Sequence, residues 1–246
     1  MRRPPPPSSR LPVLQPPLKH QDALDFPPSP QTFATFVAGA NERALTAVRE
    51  LAAAGGPDRF VYLFGSDGSG RTHLLHAAVA AAKEGGANAV LANVRLLREA
   101  TLAETVLVAV DDVHALDADA QVALFDLYNA RRAGNGGMLL AGDRAPRDLD
   151  VREDLRTRIG AMLAFELHPL TDAERAEALG AYAARRHMTL DDAVIDYLLA
   201  RVSRDLRALT ALVDRIDRTA LEKRRAVTVP LVREVLQQAD GHGGGA

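Results

Sequence analysis

FVYLFGSDGSGRTHLL, residues 60–75, decides the fold. Phe60–Phe64 is a short apolar run that ends at glycine, as a buried strand does; Gly65, Gly68 and Gly70 then punctuate a turn, and a helix opens at Arg71-Thr72. Strand, glycine-rich turn and helix in that order make the spacing G-x-x-x-x-G-[K/R]-[S/T] a phosphate-binding loop. Glycines let backbone N–H groups curl around phosphate oxygens, the helix N-terminus adds positive potential, and the Thr72 hydroxyl is placed to ligate Mg²⁺. A glycine-rich turn with no ligand is the bland alternative, and it leaves the full spacing unexplained. One letter departs from the usual pattern, Arg71 in place of lysine. Lysine meets the β/γ-phosphates as a compact point charge, whereas Arg71 presents a wider planar fork. Nucleotide binding is therefore the firmer expectation, and hydrolysis by this chain alone the weaker one.

The rest of the chain is read around that loop. Its 246 residues are 47% hydrophobic and 25% charged, enough for one substantial core or a core with a small second lobe. A net charge of −2 gives no global attraction to nucleic acid, and zero cysteines exclude disulfides and thiolate metal sites, which fits a reducing cytoplasm. No apolar run is long enough to span a bilayer, and MRRPPPPSSR lacks the apolar segment of a secretory signal. A soluble, cytoplasmic protein is expected. Residues 1–30, with Pro4–Pro7, Pro16-Pro17 and Pro27-Pro28, read as an extended disordered tail, and 241–246 as a frayed end.

Periodicity predicts a helix from Asn41, as its cap, to Ala54, and a helix from Thr72 to Glu84 that stops at Gly85-Gly86. Further strands are expected at Ala89–Asn93, Val106–Val110, the GMLLAG run before Asp143, and Met162–Leu167, with helices at Asp117–Arg132 and Arg152–Arg158 between them. Alternating β and α segments imply an α/β fold with a parallel sheet and helices on both faces. From Thr171 only helices follow: Asp172–Arg186, Asp191–Val202, Asp205–Arg224 and Pro230–Ala239. Pro169 is read as the hinge between a nucleotide-binding base, 31–168, and a small all-α lid, 169–240.

The strand VLVAV ends in Asp111-Asp112, where a Mg²⁺-holding carboxylate belongs relative to a phosphate loop. Asp111 is expected to hold the metal and Asp112 to polarise an attacking water. The next strand ends in Asp143, which can read a γ-phosphate or orient water, or else simply cap a helix. His73 and His76 lie three apart on one helix with no third metal ligand, so they are read as histidines beside the nucleotide. The clusters Arg185-Arg186-His187 and Lys223-Arg224-Arg225 sit near helix ends, where positive charge complements the dipole, and are read as structural.

With these residues on the page, the chain resembles an AAA+ protein of the bacterial DnaA branch. QTFATFVAGANERAL resembles that branch's adenine-recognition segment at Phe33, Phe36, Val37, Gly39 and Asn41. GSDGSGRTHLLHA resembles its Walker A, VAVDDVHAL its Walker B, AGDRAP its sensor 1, DLRTRIG its arginine-finger box and SRDLRAL its sensor 2. The resemblance runs from Gln31 to Ala239 and implies an AAA+ P-loop core. It implies that Phe36, Val37, Gly39, Gly65, Gly68, Ser69, Gly70, Arg71, Thr72, His73 and the lid's Arg204 contact ADP or ATP, with ADP favoured, and that Thr72 and Asp111 hold Mg²⁺. Asp143 would be sensor 1 and Arg158 an arginine finger aimed at a neighbouring subunit's nucleotide, with Arg156 and Arg207 as bystanders.

Two departures narrow the resemblance. No helix-turn-helix segment follows the lid helices, and the stretch between Thr72 and Asp111 is short, so neither duplex reading nor origin melting is expected. What remains is similar to the Hda type of DnaA homologue, which inactivates the initiator after replication starts and carries arginine in its Walker A. That type also carries an N-terminal peptide for the β sliding clamp. QDALDF, residues 21–26, fits its pattern at Gln21, Leu24 and Phe26, with Asp22 where leucine is usual. The expected partners are therefore DnaA and the clamp, with DNA reached through the clamp. An autonomous ATPase or helicase loader of the same fold, and a non-enzymatic adaptor, are the rival readings.

Overall fold

The computed structural model describes residues 30–53, 58–97, 102, 105–201 and 205–241. The clamp-like peptide 21–26, with Gln21, Leu24 and Phe26, and the sensor 2 candidate Arg204 lie outside the described residues.

Five parallel strands form one sheet in the order β2-β3-β4-β1-β5: β1 Phe60–Phe64, β2 Ala89–Ala92, β3 Leu107–Val110, β4 Gly137–Gly142 and β5 Leu163–Glu166. Strands β3 and β4 are buried at every position, which is why their sequences are continuous apolar runs: a parallel strand covered on both faces has no polar side. On one face lie α1, Glu42–Ala52, and α2, Arg71–Glu84, around Leu45, Val48, Leu74, Leu75 and Ala78. On the other lie α3, Val94–Leu97, α4, Ala118–Ala133, and α5, Glu153–Gly160, around Leu124, Tyr128, Leu155 and Ile159. Each fully buried leucine of these two cores contributes roughly 1.5–3 kcal/mol relative to exposure.

Four further helices, α6 Asp172–Ala184, α7 Asp192–Arg201, α8 Leu206–Lys223 and α9 Val229–Gly241, enclose a third core of Leu179, Leu198, Leu212, Val213, Ile216 and Val232. The buried positions of α8, Leu209, Leu212, Val213, Ile216 and Ala220, recur at helical spacing and turn one side inward. Between sheet and lid the chain passes through His168, Pro169 and Leu170. Thr171 then caps α6 in a reciprocal box, its backbone N–H donating to Glu174 Oε2 at 2.7 Å and its hydroxyl oxygen accepting from the Glu174 N–H at 3.2 Å. Among the described residues no helix is long and apolar enough to cross a membrane.

Most elements lie within a residue or two of their expected places. The N-cap of α1 is the exception in kind: Asn41 occupies that position but its side chain makes no capping bond. Instead Asn41 Nδ2 donates to the His168 carbonyl and Asn41 Oδ1 accepts from the His168 N–H, each at 2.8 Å, tying the start of α1 to the exit of β5. At 3% exposure this amide is a buried tie across the fold rather than a local cap.

Candidate nucleotide-binding site

All the strands are parallel, so Gly65, Asp111 and Asp143, each following a strand, come to one edge of the sheet. Gly68 and Gly70 have φ of +77° and +96°, values that only glycine takes without strain. A Cβ at Gly65 would meet the Leu167 carbonyl oxygen at 2.3 Å, and one at Gly70 would meet Phe36 Cε2 at 2.7 Å. Both glycines are therefore required by close approach of other parts of the chain. Within the loop, Ser69 Oγ and Arg71 Nη1 are buried without a hydrogen-bond partner among the described residues. Buried donors normally find partners, so two orphans in one glycine-rich loop fit an anionic group held there. Arg71 Nη2 donates to the exposed Asp67, at 3.0 Å.

Thr72 Oγ1 donates to Asp111 Oδ2 at 2.6 Å, and Asp111 Oδ1 accepts from the Asp112 N–H at 2.9 Å. A hydroxyl and a carboxylate in contact at the start of α2 are the hard oxygen ligands that Mg²⁺ takes beside phosphate. Asp112 adopts φ +47° and ψ +47°, a left-handed conformation that aspartate tolerates better than most residues. Asp143 is gripped by Arg144, with contacts of 3.0, 3.0 and 2.5 Å. That bond is the main reason its carboxyl lies below the ordinary range, with His114 Nδ1, 3.8 Å away, adding to it. Among the described residues Asp143 caps no helix; the 3₁₀ turn that follows, Pro146–Asp148, has Ala145 at its N-cap.

The adenine-type segment packs on the phosphate-loop helix: Phe33 and Phe36 rest on the α1/α2 core, and Phe36 meets the His73 ring edge-on at 5.3 Å. Gly39, at φ +51°, is where this segment touches the lid, since a Cβ there would lie 2.8 Å from Leu170 Cδ2 and 3.0 Å from Glu174 Oε1. Burial lowers the His73 pKa, and the nearby Arg207 charge lowers it further. Arg207, in the first turn of α8, is a lid arginine whose charge is felt at α2, a residue the sequence reading set aside; Arg204 lies outside the described residues.

Arg158 is elsewhere. It lies in the last turn of α5, on the other helical layer, five residues before β5 begins level with Val61 at the opposite edge of the sheet. Its guanidinium sits over the rings of Phe125 and Tyr128, 5.6 and 5.9 Å from their centroids. The fold does not bring Arg158 to this chain's own phosphate loop. Neither of these aromatic neighbours was read from the sequence; the 3-residue spacing of Phe125 and Tyr128 on α4 was the available signal.

Residues 172–236 match the Hda lid domain, and residues 29–98 match the bacterial DnaA ATPase domain. The chain is an Hda-type, DnaA-related AAA+ protein. Solved structures of the family agree in fold. AMPPCP-bound DnaA from Aquifex aeolicus is 25% identical with a TM-score of 0.68, over 80% of this chain and 68% of that one. Domain III of the Thermotoga maritima initiation protein DnaA is 21% identical with a TM-score of 0.70, over 87% of this chain and 98% of that one. A DNA replication initiation factor is 25% identical with a TM-score of 0.65 over 78% of this chain, which spans 65% of that relative's length.

Proposed function

We propose that this chain is a regulatory AAA+ subunit that inactivates the replication initiator DnaA by stimulating hydrolysis of DnaA-bound ATP, and so prevents re-initiation of DNA replication. The observation that carries the reading is the placement of Arg158. A guanidinium held on an aromatic platform, on the far layer from its own phosphate loop, suits a group presented to a neighbour's nucleotide. An arginine supplied in trans stabilises charge developing on the transferring phosphoryl group, an effect of about 10³ to 10⁵ in rate in comparable NTPases.

In this reading the chain's own site holds adenine nucleotide, ADP before ATP, as a structural ligand with Mg²⁺. Bound there, the nucleotide supplies anionic oxygens and the metal offsets their charge. Ser69 and Arg71 offer the buried donors, Gly65, Gly68 and Gly70 let the backbone approach, and Thr72 and Asp111 hold the metal. Phe36, Val37 and Gly39 line the base side, and Arg204 reaches over from the lid, with Arg207, whose charge acts on His73, three residues on. Gln21, Leu24 and Phe26 tether the protein to the DNA-loaded β sliding clamp, raising the local concentration of a weak encounter in the cytoplasm. The contact between Thr72 and Asp111 favours a second reading, turnover of the chain's own ATP, in which Asp112 and Asp143 orient water.

The test is ATP hydrolysis by purified DnaA mixed with this protein, ADP and DNA-loaded clamp. Stimulation should disappear with Arg158→Ala and fall with Gln21→Ala. No stimulation by the wild type refutes the proposal, retention by Arg158→Ala favours a non-enzymatic adaptor, and brisk turnover without DnaA favours the second reading.

A further inference from the structure

His73 stands where three parts of the chain meet. It is the third residue of α2, and its Nε2 lies 2.9 Å from the Thr32 carbonyl oxygen. A carbonyl only accepts, so His73 carries a proton on Nε2 and donates it. Thr32 belongs to a self-bonded turn: Thr35 Oγ1 donates to the Pro30 carbonyl at 2.8 Å and accepts from the Thr32 N–H at 3.1 Å. Phe36 follows, meeting the edge of the His73 ring and covering Gly70 so closely that no Cβ fits between. The charges of Arg207, in the first turn of α8, and of its N-cap Asp205 also act on the imidazole.

We infer that His73 is a positioning residue for the nucleobase, one that fixes the segment 30–37 to the phosphate-loop helix by donating to Thr32, so that the wall beside the base and the loop beneath the phosphates form one rigid unit. This rests on the nucleotide reading above and gives His73 a different part in it. Its Nε2–H is engaged by Thr32 and its ring is flanked by Phe36, so it acts through the segment rather than on the ligand. Without the tie, the segment must be ordered when the base binds, and that ordering is charged against affinity. The phosphate loop, whose donors are its own backbone, Ser69 and Arg71, does not depend on the tie.

The separation can be measured with the full chain by titration calorimetry against ADP and against inorganic pyrophosphate, a probe that lacks the base. His73→Ala should bind ADP roughly tenfold more weakly, the upper scale of one lost, partly buried hydrogen bond, with pyrophosphate affinity unchanged. His73→Gln, which restores an N–H donor, should recover most of the loss. Thr35→Val, which loosens the same turn and removes the 3.4 Å contact of Thr35 Oγ1 with His73 Nε2 while keeping the imidazole, should reproduce the ADP-selective weakening. Equal losses for ADP and pyrophosphate, or unchanged ADP binding in both His73→Ala and Thr35→Val, overturn the inference while leaving the nucleotide site standing. A wild-type chain that binds neither probe overturns both.

Discussion

Gly70→Ala is the most exacting substitution the site offers. The new Cβ would lie 2.7 Å from Phe36 Cε2 and 3.4 Å from Phe36 Cζ, and the backbone there has φ +96°. Holding an alanine in such a conformation costs about 1–3 kcal/mol. Moving the Phe36 ring forfeits its edge contact with His73, worth about 0.5–1.5 kcal/mol. Together these come to about 1.5–4.5 kcal/mol against the conformation that presents the loop's N–H groups, or roughly 10- to 1,600-fold in ADP affinity. Gly68→Ala supplies the control. Gly68 also has positive φ, +77°, but its Cβ would meet nothing within 4 Å, so only the backbone cost applies. Calorimetry on both variants should therefore rank them, with Gly70→Ala binding ADP more weakly than Gly68→Ala. If Gly70→Ala binds within threefold of the wild type, or Gly68→Ala is the more damaged, the crowding of a Gly70 Cβ against Phe36 is not the limiting cost.

Thr72→Ala removes the hydroxyl that touches Asp111 and should weaken Mg²⁺-supported nucleotide binding about tenfold, with little change in chelator, as titrations with and without the metal would read. Arg131→Met tests a staple in α4: at 2% exposure, Arg131 donates to the carbonyls of Leu102, Thr105, Val106 and Gly137. The substitution leaves buried carbonyls short of donors, for about 3 kcal/mol, and should lower the midpoint of thermal unfolding by roughly 6–12 °C; a drop under about 2 °C refutes it. The depressed His73 pKa keeps the folded ring neutral, while the unfolded ring gains a proton as pH falls below about 6.5. Its contribution is thus complete above that value and is lost on acidification, so between about pH 7 and pH 5 the wild type should lose more stability than His73→Gln in denaturant titrations; parallel losses contradict this.

The strands and the phosphate loop were legible because their signals are local. An apolar run that meets glycine, or a glycine spacing before a helix, is complete within sixteen residues. Asn41 shows where such reading stops: an amide just before a helix is the commonest local cap, yet its bonds go to His168, 127 residues away in sequence. Arg131 misleads in the same way. A basic residue in the last turn of a helix looks like a solvated complement to the dipole, and only the fold reveals that its guanidinium is buried against carbonyls flanking β3 and β4. Of the two lid arginines in SRDLRAL, the family motif favoured Arg204 and set Arg207 aside, yet it is Arg207 whose charge acts on His73, an effect that depends on how α8 approaches α2. The family motifs narrowed the chemistry and left that geometry open.

The separation of Arg158 from the phosphate loop constrains how a bound nucleotide can influence it. Gly65 abuts the Leu167 carbonyl, and the Leu167 N–H donates to the Phe64 carbonyl at 2.6 Å, so the loop bears on the exit of β5. Two residues later come Pro169 and the lid. A shift at Gly65 therefore reaches the lid through three residues of chain, with Asn41 and Gly39 bracing the same turn from the adenine side. To reach Arg158 the same shift must travel back along β5, whose pairing with β1 resists sliding, and through Ala161 and Met162 into α5. The shorter path leads to the lid. A nucleotide at the loop is thus better placed to set lid angle than to move Arg158, which agrees with the proposed role of Arg158 as a group held ready on Phe125 and Tyr128.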